Sequence, residues 1–154
     1  ENLELQFVPV LEKLSCSFNK MTELDLQYIP NLDSLDCSIN EIKNLDLEKT
    51  INLIELNCSH NNIQNLDLQH SSKLVKINCS NNYIKYINLK YLPKLNILNC
   101  SYNQIEYIDL QYILRLSYLD CSYNQLTSLN LSKVMKYAKT YYVGNPLITP
   151  PIRK

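Results

Sequence analysis

Glycine is nearly missing from the 154-residue sequence: Gly144 is the only one. No Gly-rich phosphate-binding loop can therefore lie between positions 1 and 143. Net charge is missing too, with fifteen Lys and Arg against fifteen Asp and Glu. That balance removes the whole-chain argument for a nucleic-acid or membrane-surface binder. No stretch approaches the ~20 consecutive apolar residues of a membrane span. The first residues hold neither the basic nor the apolar segment of a secretory signal. Ser-His-Asp, G-x-S-x-G, H-E-x-x-H and P-loop patterns are all wanting, which argues against an enzyme. What the chain does have is apolar residues, 45% of the total, enough for a packed core and against general disorder.

Six cysteines, Cys16, Cys37, Cys58, Cys79, Cys100 and Cys121, follow one another at a constant interval of 21 residues. Aligned on that interval, most other apolar residues fall into columns. One reads Leu11, Leu32, Leu53, Leu74, Leu95, Leu116; another, two residues before each cysteine, reads Leu14, Leu35, Leu56, Ile77, Leu98, Leu119. Three residues after each cysteine stands Asn19, Asn40, Asn61, Asn82, Asn103 or Asn124. Met21, Ile42, Ile63, Ile84, Ile105 and Leu126 follow, and a Leu-Asp-Leu-like segment closes the unit. Leu35-Asp36-Cys37-Ser38 alternates apolar and polar with the period of a half-buried strand. One unit cannot bury its own apolar residues, but stacked units can, with neighbouring strands ~4.8 Å apart.

The unit L-x-x-L-x-C-S-x-N-x-I-x-x-L-D-L-x5 resembles a leucine-rich repeat. The implied fold is a leucine-rich repeat solenoid: curved, with a parallel β-sheet on the concave face and short irregular or 3-10 segments on the convex face. The Cys-Ser-x-Asn core, clearest at 119–129 and 35–38, is similar to the cysteine-ladder subgroup of bacterial internalin-like surface proteins, over about residues 3 to 131. That resemblance implies a protein-binding module or adhesin at a bacterial surface or secreted; the residues also allow a cytosolic location.

Residues 1–154 form one repeat domain in this reading: 1–10 a partial first repeat, 11–136 six full repeats, and 137–154 a divergent final repeat and C-terminal cap. Leu3, Leu5 and Val8 align with Leu24, Leu26 and Ile29, so the chain starts inside a repeat. Because a solenoid end needs a polar cap, Glu1 is expected to be the edge of a piece of a longer protein. Asn145 and Leu147 keep their columns while Tyr142 takes the cysteine position. Pro146, Pro150 and Pro151 are expected to stop regular pairing.

The cysteines suit neither zinc nor disulfides. Zinc sites use close pairs such as C-x2-C, and side chains projecting in parallel give poor disulfide torsions. A reduced, buried structural ladder is expected instead. The asparagine column is expected to satisfy backbone groups of neighbouring turns. Asp25, Asp46, Asp67 and Asp109 lack the dense oxygen arrangement of a calcium site and read as turn residues. His60 and His70 read as surface residues, so no metal and no cofactor is expected. Three N-C-S sequons at Asn57, Asn78 and Asn99 lie in expected strands, where glycans would crowd the concave face.

With the scaffold subtracted, the variable strand positions are expected to face the concave side. The last full repeats cluster Ile97, Tyr102, Tyr118 and Tyr123 beside Asn99 and Asp120. Aromatic anchors flanked by polar groups have the composition of a protein-binding hot spot. Ordinary cross-strand tyrosine packing accounts for the same residues less specifically. An architectural segment, or the substrate-recruiting arm of a larger intracellular enzyme or signalling protein, is the alternative. Charge is also divided: residues 1–55 hold eleven acids and four bases, residues 56–154 four acids and eleven bases. Such a dipole favours weak, salt-sensitive self-association. Lys73, Lys76, Lys85, Lys90 and Lys94 spread over several faces, so no nucleic-acid groove is expected.

Overall fold

The computed structural model describes residues 3–153; Glu1, where the sequence suggests the edge of a longer protein, lies outside them. Seven three-residue strands are spaced along the chain: β1 (Lys13–Ser15), β2 (Ser34–Asp36), β3 (Glu55–Asn57), β4 (Lys76–Asn78), β5 (Ile97–Asn99), β6 (Tyr118–Asp120) and β7 (Lys139–Tyr141). They pair in chain order as one parallel sheet. Every register is one repeat long, so Leu35 lies opposite Leu56 and Leu56 opposite Ile77. The leucine-rich repeat solenoid expected from the 21-residue period is the fold observed. Regular pairing ends as the prolines begin: β7 joins β6 ahead of Pro146, no strand follows it among the described residues, and beyond Pro150 and Pro151 Ile152 makes only an isolated bridge to Asn130. These prolines precede Ile152, whose own N–H remains free to donate to Leu129 O at 3.0 Å.

No repeat has room for a helix. Between strands the chain returns through tight turns, such as Leu92 N–H to Leu89 O and Leu95 N–H to Leu92 O, both 3.1 Å. Each turn drops one apolar side chain inward and leaves the intervening residues outside. Among the described residues a single 3-10 turn, Leu5–Phe7, precedes β1. The leucine and isoleucine columns are buried almost completely, and all six cysteines are buried and unpaired. At the N-terminal end Leu5 is buried whereas Leu3 and Val8 stay exposed, having no earlier rung to pack on among the described residues.

The asparagines bind the rungs together. Nδ2 of Asn82 donates to Cys58 O (3.0 Å), Cys79 O (3.2 Å) and Ser80 O (3.3 Å), while Oδ1 accepts from Ile63 N–H at 2.9 Å. Asn40, Asn61, Asn103 and Asn124 repeat this set one rung at a time. A buried amide with both ends bonded is the economical way to satisfy turn groups that water cannot reach.

One core column breaks the apolar rule. Ile29, Leu92 and Ile113 share it with Thr50 and Ser71, all fully buried. Thr50 Oγ1 donates to Leu47 O at 3.1 Å, but Ser71 Oγ has no partner among the described residues. Leaving a hydroxyl unpaired in a core costs roughly 1–3 kcal/mol. Ser71→Ala is therefore expected to raise the melting temperature by a few degrees, and Ser71→Val by more, since valine adds apolar burial. Thermal melts followed by circular dichroism check this; an alanine variant that melts lower than the parent chain would contradict it.

Candidate partner-binding site

In each strand the first and third residues point away from the core. Pairing of β5 with β6 sets Ile97 beside Tyr118 and Asn99 beside Asp120. The third strand residue then shapes the turn. Oδ1 of Asn99 accepts from the Ser101 N–H at 3.1 Å and from its hydroxyl at 2.7 Å, and Asp120 Oδ1 accepts from the Ser122 N–H at 3.0 Å. The same Asx turn recurs at Asp36, Asn57 and Asn78. It leaves the side chains of the three N-C-S asparagines half-buried in their strands, with Oδ1 engaged.

The residue after that serine enters the left-handed region in every rung. Phe18, Ile39, His60, Asn81, Tyr102 and Tyr123 have φ between +53° and +58°, and Gly144 has φ +74°. The sequence suggests strand positions for Tyr102 and Tyr123; the whole column lies instead in the turn that leaves each strand, three residues beyond it. Bulky and β-branched residues disfavour this conformation by roughly 1–2 kcal/mol, so nothing in Phe18 or Ile39 announces it. The fold holds them there because the next residue, the ladder asparagine, must turn inward to reach two rungs of backbone.

That turn aims tyrosines at one another. Tyr102 and Tyr123 stack with ring centroids 4.4 Å apart and planes 15° apart, while remaining 51% and 47% exposed. Below Tyr123 comes Gly144, where a Cβ would meet Cδ1 of Tyr123 at 2.5 Å. The single glycine of the chain thus ends the stack, because only a bare Cα lets the ring lie down. Tyr118 meets Tyr141 of β7 at 5.7 Å, tilted 46°. Tyr141 is absent from the sequence-derived cluster, since the final repeat has no cysteine to align on; counting 21 residues on from Asp120 would have found it. Desolvation first, then the neighbouring Tyr123 ring and the Asp120 carboxylate, push the Tyr102 phenol above its ordinary range. Desolvation, Asp120 and Tyr141 do the same to Tyr118.

The structure therefore brings Ile97, Asn99, Tyr102, Tyr118, Asp120 and Tyr123 onto adjacent rungs and adds Tyr141. Towards β1 the same face is polar: Lys13, Ser34, Glu55 and Lys76 occupy the first strand position, with Lys76 Nζ 4.0 Å from Glu55. His60 sits in the left-handed turn column and His70 is exposed on the opposite side. Asp25, Asp46, Asp67 and Asp109 each accept a backbone N–H two residues on. Among the described residues no group of three or more His, Cys, Asp or Glu could hold a metal ion. The site is suited to contact, with rings, amides and one carboxylate on a rigid sheet.

No family model matches the chain, and no curated protein matches it. Solved structures do. The functional domain of InlJ from Listeria monocytogenes, which includes a cysteine ladder, is similar with a TM-score of 0.90 and 30% identity, over 93% of this chain and 32% of that one. A leucine-rich repeat protein of Leptospira interrogans gives 0.88 at 23% identity, over 95% and 40%. An internalin of Listeria monocytogenes, InlF, gives 0.85 at 23% identity, over 94% and 45%. The chain thus spans less than half the length of each of these structures. The 21-residue period, the parallel sheet and the buried file of thiols, together with these likenesses, make the chain a leucine-rich repeat protein of the cysteine-ladder subtype, resembling the internalin-like surface proteins.

Proposed function

We propose that the chain is a non-catalytic protein-binding module whose ligand sits on the concave, strand-bearing face over β5 to β7. One observation carries the reading: four tyrosines, paired as Tyr102–Tyr123 and Tyr118–Tyr141, project from a face where the repeat itself requires no aromatic residue. Their pairing limits the rotamer freedom that binding would otherwise have to remove. Ile97 extends the apolar centre. Asn99 Nδ2 and Asp120 Oδ2, with no hydrogen-bond partner among the described residues, supply polar specificity at its middle. Repeat solenoids generally offer this extended face to partners, and the likeness to internalins supports the same class of function.

A displayed peptide library selected on the intact chain tests the proposal. Tyr102→Ala, Tyr118→Ala and Tyr123→Ala are each expected to weaken the selected ligands by more than ~1 kcal/mol, about fivefold or more. Lys13→Ala, on the same face at the opposite end, is expected to change little. Ligands that bind the three tyrosine variants as tightly as the parent chain would refute this site.

A further inference from the structure

The side of the solenoid facing away from the strands carries a second patch, unrelated to the tyrosine pairs. After each Leu-Asp-Leu segment two turns carry the chain back to the next strand, and the residues between the buried positions stay exposed. One column there reads Asn31, Asn52, Lys73, Lys94, Arg115, Lys136: neutral for two rungs and cationic for four. Rungs recur about every 4.8 Å where the strands pair and more widely on the outer side, so successive cations are spaced on the order of the ~8 Å screening length of physiological salt. Such neighbours repel one another and cost stability. None of the four is in an ion pair among the described residues, and around Lys73 and Lys94 the chain has no acid at all between Asp67 and Glu106. The ion pairs among the described residues, Lys49–Glu48 and Lys76–Glu55, lie outside the column.

Apolar and aromatic side chains flank the cations. The position just before each one reads Pro93, Leu114 and Met135 in the last three full rungs, with Leu114 63% and Met135 47% exposed. Tyr91 and Tyr112, also exposed, stand three residues before Lys94 and Arg115. Zero net charge excludes surface binding only for the chain taken as a whole; this strip is locally basic and locally greasy.

We infer that the back of the segments following β4, β5 and β6 docks on a negatively charged lipid surface. Lys94, Arg115 and Lys136 meet the anionic headgroups, and Leu114 and Met135 enter the boundary between headgroups and acyl chains. The pairing of both chemistries selects a bilayer. A soluble polyanion would neutralise the cations but leave Leu114 and Met135 in water, whereas a bilayer interface accepts both. Tyrosine, apolar in its ring and polar at its tip, suits the same depth. Docking is peripheral, since no helix among the described residues is long and apolar enough to cross a membrane.

Flotation of the full chain with phosphatidylcholine vesicles, with and without phosphatidylserine, tests the inference. Binding is expected only with phosphatidylserine and is expected to weaken as salt rises. Lys94→Gln and Arg115→Gln should each weaken it about fivefold. Leu114→Ser, which leaves every charge in place, should weaken it about tenfold, while Tyr123→Ala on the opposite face should not change it. All four positions are exposed, and an unchanged circular dichroism spectrum confirms that each variant folds. Vesicle binding unmoved by Leu114→Ser, or binding to a single-stranded oligonucleotide or a sulfated polysaccharide but to no vesicle, would overturn it.

Discussion

Replacing the buried Asn82 by alanine is expected to cost about 3–5 kcal/mol, among the largest losses any single substitution should produce here. Its amide serves two rungs. Removing it strands the Ile63 N–H and takes a donor from the Cys58 and Cys79 carbonyls, none of which has water at hand. A buried, unpaired backbone group costs roughly 1–3 kcal/mol. In a chain of this size the corresponding fall in melting temperature is on the order of 10 °C. Asn82→Asp should be no better, because it keeps the acceptor for Ile63 but sets a carboxylate against three carbonyl oxygens. Asn19→Ala is the internal control. Asn19 donates only to Cys16 O and Ser17 O and links to no earlier rung among the described residues, so its loss should cost about 1 kcal/mol or less. Equal melting temperatures for Asn19→Ala and Asn82→Ala would mean that the bonds between rungs contribute nothing.

The contrast between these two asparagines also shows what a repeat sequence reveals and what it hides. The 21-residue period was enough for the parallel register, the buried leucines and the thiol file, because each is set by the same side chain recurring at the same place. Turn conformation was not legible. Phe18, Ile39, His60, Asn81, Tyr102 and Tyr123 have nothing in common as residue types, yet all adopt positive φ because their asparagine neighbours demand it. Ser71 was hidden for a similar reason, since one polar residue in a column of Ile, Leu and Thr reads as surface variation until its burial is seen. Of the candidate site, Ile97, Asn99, Tyr118 and Asp120 follow from strand alternation alone. The stack of Tyr102 on Tyr123, and its termination on Gly144, depend on a backbone geometry that the side chains themselves disfavour.

Alkaline pH is expected to unfold the chain steeply, with the onset near pH 9 and the thiol ladder as the cause. Burial pushes Cys37, Cys79 and Cys121 from the ordinary 9.0 up to about 12, with Cys16 and Asp36 also raising Cys37, and Asp120 raising Cys121. Cys58 and Cys100 are driven well above their ordinary value by burial first and by the cysteines on either side second. Cys16, at the open end of the file, is raised as well. Between pH 9 and about 12 the folded chain keeps protons that the unfolded chain has released, so stability falls as pH rises. Below pH 9 both states hold those protons and the contribution is constant. Each thiol then removes about 1.4 kcal/mol per pH unit, and the five interior ones together about 7 kcal/mol. Set against a typical total of about 5–15 kcal/mol, one to two pH units suffice to unfold the solenoid. Thermal melts from pH 7 to 11, with thiolate absorbance followed in parallel, check the argument: the loss of structure and the appearance of thiolate should coincide. A melting temperature at pH 10.5 equal to that at pH 8 would show that the thiols ionise inside the folded chain, and that the ladder is wetter than its burial implies.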